Sequence, residues 1–181
     1  MNDRHDWLGS TARYVAPRTP GEPDAWSEEL AEHGRRGSQR LREAGEAEPP
    51  GFVAAALRLA DGERAVVRRR VMLEEDRPVE LTDSYYARSV AAGTGLAEPR
   101  KIRGGAPTLL AELGYVADEV VEDLSVRRAE PDEAHELALP AGALVIQLVR
   151  VSSTADGVPY EVSVMTMRPE GRHFRYRLKA G

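Results

Sequence analysis

The chain nearly repeats itself at a shift of eighty positions, and that repeat limits its fold more than any motif does. Leu57, Leu59, Gly62 and Arg70 fall on Leu137, Leu139, Gly142 and Arg150, and Asp76 falls on Asp156. One inserted residue, Gly157, then sets Pro78 on Pro159, Glu80 on Glu161 and Thr82 on Ser163. Each copy reads as a short helix (PPGFVAAALRLADG, PDEAHELALPAG), a strand, a turn and a returning strand. The expected fold is α+β: an antiparallel sheet with helices, assembled from internally duplicated helix-hairpin units. Two such hairpins paired about a pseudo-twofold axis would bring two Arg and two Glu towards a shared cleft.

The first hairpin, RAVVRRRVMLEEDRPVELTDSYY, has one face too polar for a simple core. Period-2 alternation puts Val66, Arg68, Arg70 and Met72 on one side of the outgoing strand and Val67, Arg69, Val71 and Leu73 on the other. On the return, Glu80, Thr82 and Ser84 share a face, opposed by Val79, Leu81, Asp83 and Tyr85. A strand that aligns Arg with Glu in this way suits the wall of a binding site.

A length of 181 residues is enough for one domain with a proper core and an added arm. The net charge of −5 lacks the basic footprint of a general nucleic-acid binder. Zero cysteines exclude disulfides, thiolate metal sites and thiol nucleophiles, and fit a cytoplasmic protein. No apolar run approaches a membrane span, so no membrane partner is expected.

Residues 1–37 read as a polar N-terminal arm or linker, and 38–181 as the ligand-binding domain. Within the arm, DAWSEELAEHG predicts a short helix with Asp24 as N-cap and Gly34 as stop. Trp7, Tyr14 and Trp26 are the anchors that would dock it. The basic stretch HGRRGSQRLR reads as a strand edge protected by charge. PTLLAELGY predicts a helix with Pro107 in its first turn, EVVEDLSVRRAE a strand, and RHFRYRL a closing strand.

The four histidines have no ligand-like spacing, so neither a metal nor another cofactor is expected. There is no GxSxG elbow, and Gly104-Gly105 before TLLAELG is the nearest approach to an anion-holding helix start. Arg beside Glu suits recognition better than proton transfer: Arg clamps a phosphate or carboxylate, and Glu accepts from hydroxyls or an amine.

Taken together, RRRVMLEEDRPVELTDSYY, GGAPTLLAELGY and LVRVSSTADGVPYEVSV closely resemble the UTRA domain over residues 38–178. That is the effector-binding half of HutC-type regulators in the GntR family, with a fold shared with chorismate lyase. The resemblance implies a small-molecule ligand, anionic or hydroxylated, and a homodimer. It makes Arg68 and Arg70 the anion clamp, matched by Arg150 in the second copy, with Glu80 and Glu161 taking hydroxyl or amino groups. Thr82, Ser163 and Tyr85 join the ligand-binding set. Where many members open the central helix with Gly-Ser, this chain has Gly105-Ala106. The polar residues ahead of the domain are too few for a winged helix, so direct DNA binding by this chain is not expected. One alternative is a stand-alone biosynthetic enzyme, a lyase, cyclase or hydrolase, using Glu80, Glu161 and Tyr85 as acid–base groups, with Asp83 and His173 as further candidates. A second is an interaction module that pairs with a full-length regulator.

Overall fold

The repeat survives in three dimensions because each copy carries the same apolar and turn residues. In the computed structural model, which describes residues 7–9, 12–19 and 22–174, the elements run in chain order. They are β1 (Trp7–Gly9), α1 (Ala12–Val15), α2 (Ala25–Glu32), β2 (Gly37–Ala47), α3 (Gly51–Ala56), β3 (Ala65–Glu74) and β4 (Arg77–Ala87). Then come α4 (Arg88–Ala91), α5 (Gly105–Glu112), β5 (Glu119–Arg128), α6 (Pro131–Glu136), β6 (Leu144–Ser153), β7 (Pro159–Met167) and β8 (Arg172–Phe174).

Six strands form one antiparallel sheet in the order β2-β3-β4-β7-β6-β5. The order reads the same from either edge once β2, β3 and β4 are equated with β5, β6 and β7. Register agrees: Arg70 lies opposite Thr82, and Arg150 lies opposite Ser163. Both hairpins carry an irregularity at the same place, after Met72 and after Ser152. Backbone conformations repeat too. Arg58 and Ala138 have φ of 55° and 50°, and Gly62 and Gly142 have φ of 75° and 73°. The left-handed turn at Gly62 and Gly142 is one that a side chain resists, which is why glycine recurs there.

Helices cover both faces of the sheet. On one face, α3 and α6 insert Val53, Leu57 and Leu137 against Val67, Tyr85, Val162, Val71, Leu81 and Val145. Each such side chain withdrawn from water contributes about 1.5–3 kcal/mol before entropy is counted. On the other face, α2 sets Trp26 and Leu30 on Met72 and Val79, while Leu110 of α5 packs with Val66, Tyr86 and Leu96. Asp24 caps α2 as predicted, its Oδ1 accepting from Ser27 N at 3.0 Å, and Gly34 follows at φ 70°. Trp26 Nε1 donates to the Leu73 carbonyl at 2.9 Å. A Cβ on Gly37 would stand 2.8 Å from the Trp26 ring, so only glycine admits this close approach. The arm thus docks on its own sheet. The side chain of Trp7 and the end of the predicted closing strand, including Tyr176, lie outside the described residues; β1 pairs in parallel with β8.

The basic stretch is matched by acids: Arg35 pairs with Glu74, Arg36 with Glu75 and Asp76, and Arg40 and Arg42 with Glu136. No helix among the described residues is long and apolar enough to cross a membrane.

Candidate functional site

Strand register lays the polar residues out as a row across the middle of the sheet. Glu122, Arg150, Ser163, Ser84 and Arg68 stand in cross-strand succession on β5, β6, β7, β4 and β3. Thr82 and Arg70 lie in the next row, and Tyr86, Glu161 and Ser152 in the row on the other side. All of them share the face beneath α1, α2 and the segment 94–103. Six of the eight residues expected at the site are buried; Arg70 and Glu161 alone are partly exposed.

Hydrogen bonds separate the set further. Ser84 and Ser163 meet Oγ to Oγ at 2.8 Å. Arg70 donates to Ser84 Oγ at 2.8 Å, and Ser163 donates to Glu161 at 2.7 Å. In the first copy the equivalent Thr82 hydroxyl donates to Glu80, also at 2.7 Å. The duplicated charges do not all remain available, however. Arg150 Nε donates to Glu122 at 2.8 Å and its guanidinium lies 5.7 Å from the Tyr14 ring centre. Glu80 accepts from Arg172 at 3.0 Å, and the Arg172 guanidinium lies 5.7 Å from the Trp26 ring centre. Among the described residues, Arg70 and Glu161 enter no ion pair.

Arg68 has a different employment from the expected clamp. It donates to the carbonyls of Gly95, Leu96, Glu98 and Arg100 at 2.8–3.2 Å and so ties down the segment between α4 and α5. Burial pulls its guanidinium below the usual arginine range, and neighbouring Arg70 adds to the shift. Tyr85 is on the opposite face, packed with Val53, Leu57, Val67 and Val162, as the alternation along β4 requires. The structure therefore gathers Arg68, Arg70, Glu80, Thr82, Arg150, Glu161 and Ser163 on one face and leaves Tyr85 on the other. Asp83 shares that other face and pairs with Arg69 at 3.6 Å.

Ser84, Tyr86, Glu122 and Arg172 complete the arrangement without having been singled out as site residues, and Tyr14, expected only as an anchor of the arm, joins them. Ser84 was legible as a member of the polar face. Glu122 needed the order of the strands, since only the pairing of β5 with β6 sets it against Arg150. Tyr14, read in the sequence as an arm anchor, and Arg172 come from the two ends of the chain, where no periodicity ties them to the site. Burial and the approach of Glu29 hold the Tyr14 hydroxyl protonated far above the ordinary tyrosine range; burial and Glu161 do the same for Tyr86. No cluster of metal-ligating side chains occurs among the described residues. A separate pocket of about 600 Å³ lies against the segment 94–103, lined in part by Arg18, Arg100, Lys101, Arg103 and Thr108. It shares none of the eight residues.

The family model of the UTRA domain matches residues 32–171. An uncharacterised HTH-type transcriptional regulator of Streptomyces coelicolor, SCO4628, is 32% identical over 115 residues, covering 62% of this chain and 43% of that protein. The HTH-type transcriptional regulator Rv0792c of Mycobacterium tuberculosis is 31% identical over 118 residues, covering 62% of this chain and 42% of the relative. The chain spans less than half the length of these curated relatives. The crystal structure of the effector domain of PhnF from Mycobacterium smegmatis aligns with a TM-score of 0.73 at 19% identity, over 91% of this chain and 99% of that one. The C-terminal domain of the histidine utilization repressor from Pseudomonas syringae pv. tomato aligns with a TM-score of 0.68 at 20% identity, over 80% and 99%. At those identities the structural likeness speaks for the fold alone. The sequence match spans most of the chain, which therefore belongs to the UTRA domain family, the effector-binding domains of GntR-type transcriptional regulators.

Proposed function

We propose that the effector of this domain is a small molecule bearing an anionic group together with a hydroxyl or amino group. Arg70 receives the anion, Glu161 accepts from the hydroxyl or amine, and Ser84 and Ser163 lie between them. The observation that carries this reading is the division of the duplicated charges. Arg150 and Glu80 are neutralised within the chain, whereas Arg70 and Glu161 have no ion pair among the described residues and are the two of the eight that solvent reaches. A guanidinium offers paired donors to a phosphate or carboxylate, and a carboxylate offers only acceptors, so the two ends of the ligand must differ in chemistry. Arg68, Glu80, Thr82 and Arg150 act behind them as supports.

Both curated relatives are named as HTH-type transcriptional regulators, so effector binding here is proposed to set the activity of a DNA-bound regulator in the cytoplasm. The net charge of −5 supports the reading that this chain does not itself hold DNA; that it works as a homodimer bound to the small molecule is part of the same proposal. The test is a thermal-shift screen of phosphorylated, carboxylated and amino-bearing metabolites. A ligand at a hundred times its Kd stabilises by about 2.7 kcal/mol, and Arg70→Ala should cut that to about 0.4–1.4 kcal/mol, as a 10–100-fold weaker Kd requires. If no compound of these classes raises the melting temperature, or if Arg70→Ala leaves the shift intact, this reading fails.

A further inference from the structure

The cavity of about 600 Å³ against the segment 94–103 is one that the effector reading does not use, and its charge is one-sided. Arg18, Arg100, Lys101 and Arg103 line it, against a single acid, Glu112, among the described residues, in a chain whose net charge is −5. Arg18 and Arg100 pair with Glu28 and Glu98. Lys101 and Arg103 are exposed and enter no ion pair among the described residues. Cations gathered on one concave wall repel one another and raise the local concentration of anions.

The walls are held from behind, so the charges keep their places. Arg68 grips the carbonyls of Gly95, Leu96, Glu98 and Arg100 from the sheet side of the segment. On the opposite rim, Arg18 N donates to Thr108 Oγ at 3.0 Å, and that hydroxyl donates to the Gly104 carbonyl at 2.7 Å. Arm, helix α5 and segment therefore close around the cavity. Ile102 and Leu109 give it an apolar wall, and both rest on the buried cluster of Val66, Leu96 and Leu110.

We propose that this cavity binds an organic polyphosphate of nucleotide size, its phosphates on Lys101 and Arg103 and its ring system against Ile102 and Leu109. Charge and volume select the class. A lone carboxylate leaves the cations in excess, whereas one phosphoryl group already carries about −1.5 to −2 at pH 7. Its oxygens suit both the fork of a guanidinium and the point charge of an ammonium group. Inorganic phosphate alone leaves most of the space unfilled, since clefts of about 300–1,000 Å³ are the size that takes whole small-molecule ligands. Glu112, one turn beyond Thr108 on α5, accepts from hydroxyl groups of the ligand. This site rests on no part of the effector reading.

Calorimetric titration of the full chain with ADP, pyrophosphate and adenosine tests the proposal. ADP is expected to bind, pyrophosphate to bind more weakly, and adenosine not measurably. The double variant Lys101→Ala, Arg103→Ala should weaken ADP by at least about tenfold, the scale of a hydrogen bond to a charged group. Both side chains are exposed, so its circular dichroism spectrum should match that of the wild type. Arg36→Ala with Arg64→Ala removes the same charge from exposed positions that line no part of the cavity and should leave ADP affinity unchanged. Absence of ADP binding, or pyrophosphate or adenosine binding as tightly as ADP, would overturn the proposal. So would equal weakening by the two double variants, and so would ADP binding that Arg70→Ala abolishes while the cavity variant retains it.

Discussion

Ser84 and Ser163, contributed by different copies of the duplicated unit, share a hydrogen bond of 2.8 Å between the two central strands of the sheet. Its direction follows from counting protons. Each hydroxyl has one to give, and that of Ser163 goes to Glu161, so Ser84 must donate to Ser163. Ser84 is in turn left to accept from Arg70. A directed chain therefore runs from guanidinium through two hydroxyls to carboxylate, and it crosses from one copy to the other.

That chain separates two arginines that the repeat makes equivalent. Arg150→Ala removes the guanidinium that pairs with the largely covered Glu122 and is expected to destabilise by about 3 kcal/mol. Arg70→Ala removes a partly exposed group with no ion pair among the described residues and is expected to lower stability by about 1 kcal/mol or less. Effector affinity should fall by about 10–100-fold for Arg70→Ala, the scale of hydrogen bonds to a charged group. Urea unfolding beside calorimetric titration checks the split. Equal effects on stability from both variants would mean that the symmetry of the fold extends to its energetics.

Cutting the relay in its middle gives a second outcome. Ser84→Ala leaves Arg70 and Glu161 in place but deprives Ser163 of its donor. We expect effector affinity to fall about tenfold, near the value of one buried hydrogen bond. Glu161→Gln should lose discrimination for amino-bearing effectors over their hydroxyl analogues, because an amide no longer draws an ammonium group. Paired titrations with an amine and its alcohol analogue read that ratio directly.

Arg68 is expected to behave as a fastener. Four backbone carbonyls between Gly95 and Arg100 lose their donor in Arg68→Ala. Buried acceptors left unsatisfied cost about 1–3 kcal/mol each where water cannot reach them. Hydrogen exchange measured by mass spectrometry should quicken over residues 94–103 and remain unchanged over β6 and β7. Uniform quickening would indicate global destabilisation instead.

Much of this was legible in the chain itself, for physical reasons that can be named. Leu57 and Leu137, Gly62 and Gly142, Arg70 and Arg150 lie at one spacing because each pair fills the same role in a copied unit. Alternation along β3 and β4 then settled which charges share a face, and it put Tyr85 with the core, against the place that the family resemblance implied. What alternation cannot see is who neutralises whom. Glu122 reaches Arg150 through strand order, and Arg172 reaches Glu80 from the far end of the chain. Those two contacts decide which members of a symmetric set are left without an ion pair among the described residues. The engagement of Arg68 with the 94–103 segment is equally silent in sequence, since its partners are backbone carbonyls and carry no residue signature.

Asp83 offers a test on the opposite face, near the axis that relates the two copies. Burial raises its carboxyl above the ordinary aspartate range; Arg69, at 3.6 Å, and the more distant Arg42 and Arg70 offset only part of that, and Glu43 opposes them. The sign follows from linkage. A carboxyl whose pKa is raised on folding favours the native state most when protonated, and that advantage disappears as pH rises from about 4 through the folded value. At neutral pH the charge is thus a net burden, which an uncharged isostere removes. Asp83→Asn is expected to raise the melting temperature by about 1–3 °C at pH 7 and to bring no gain below about pH 4. Calorimetric scans of both proteins from pH 3.5 to 8 measure this. A variant that melts lower at pH 7 would show that the pairing with Arg69 outweighs the cost of burial.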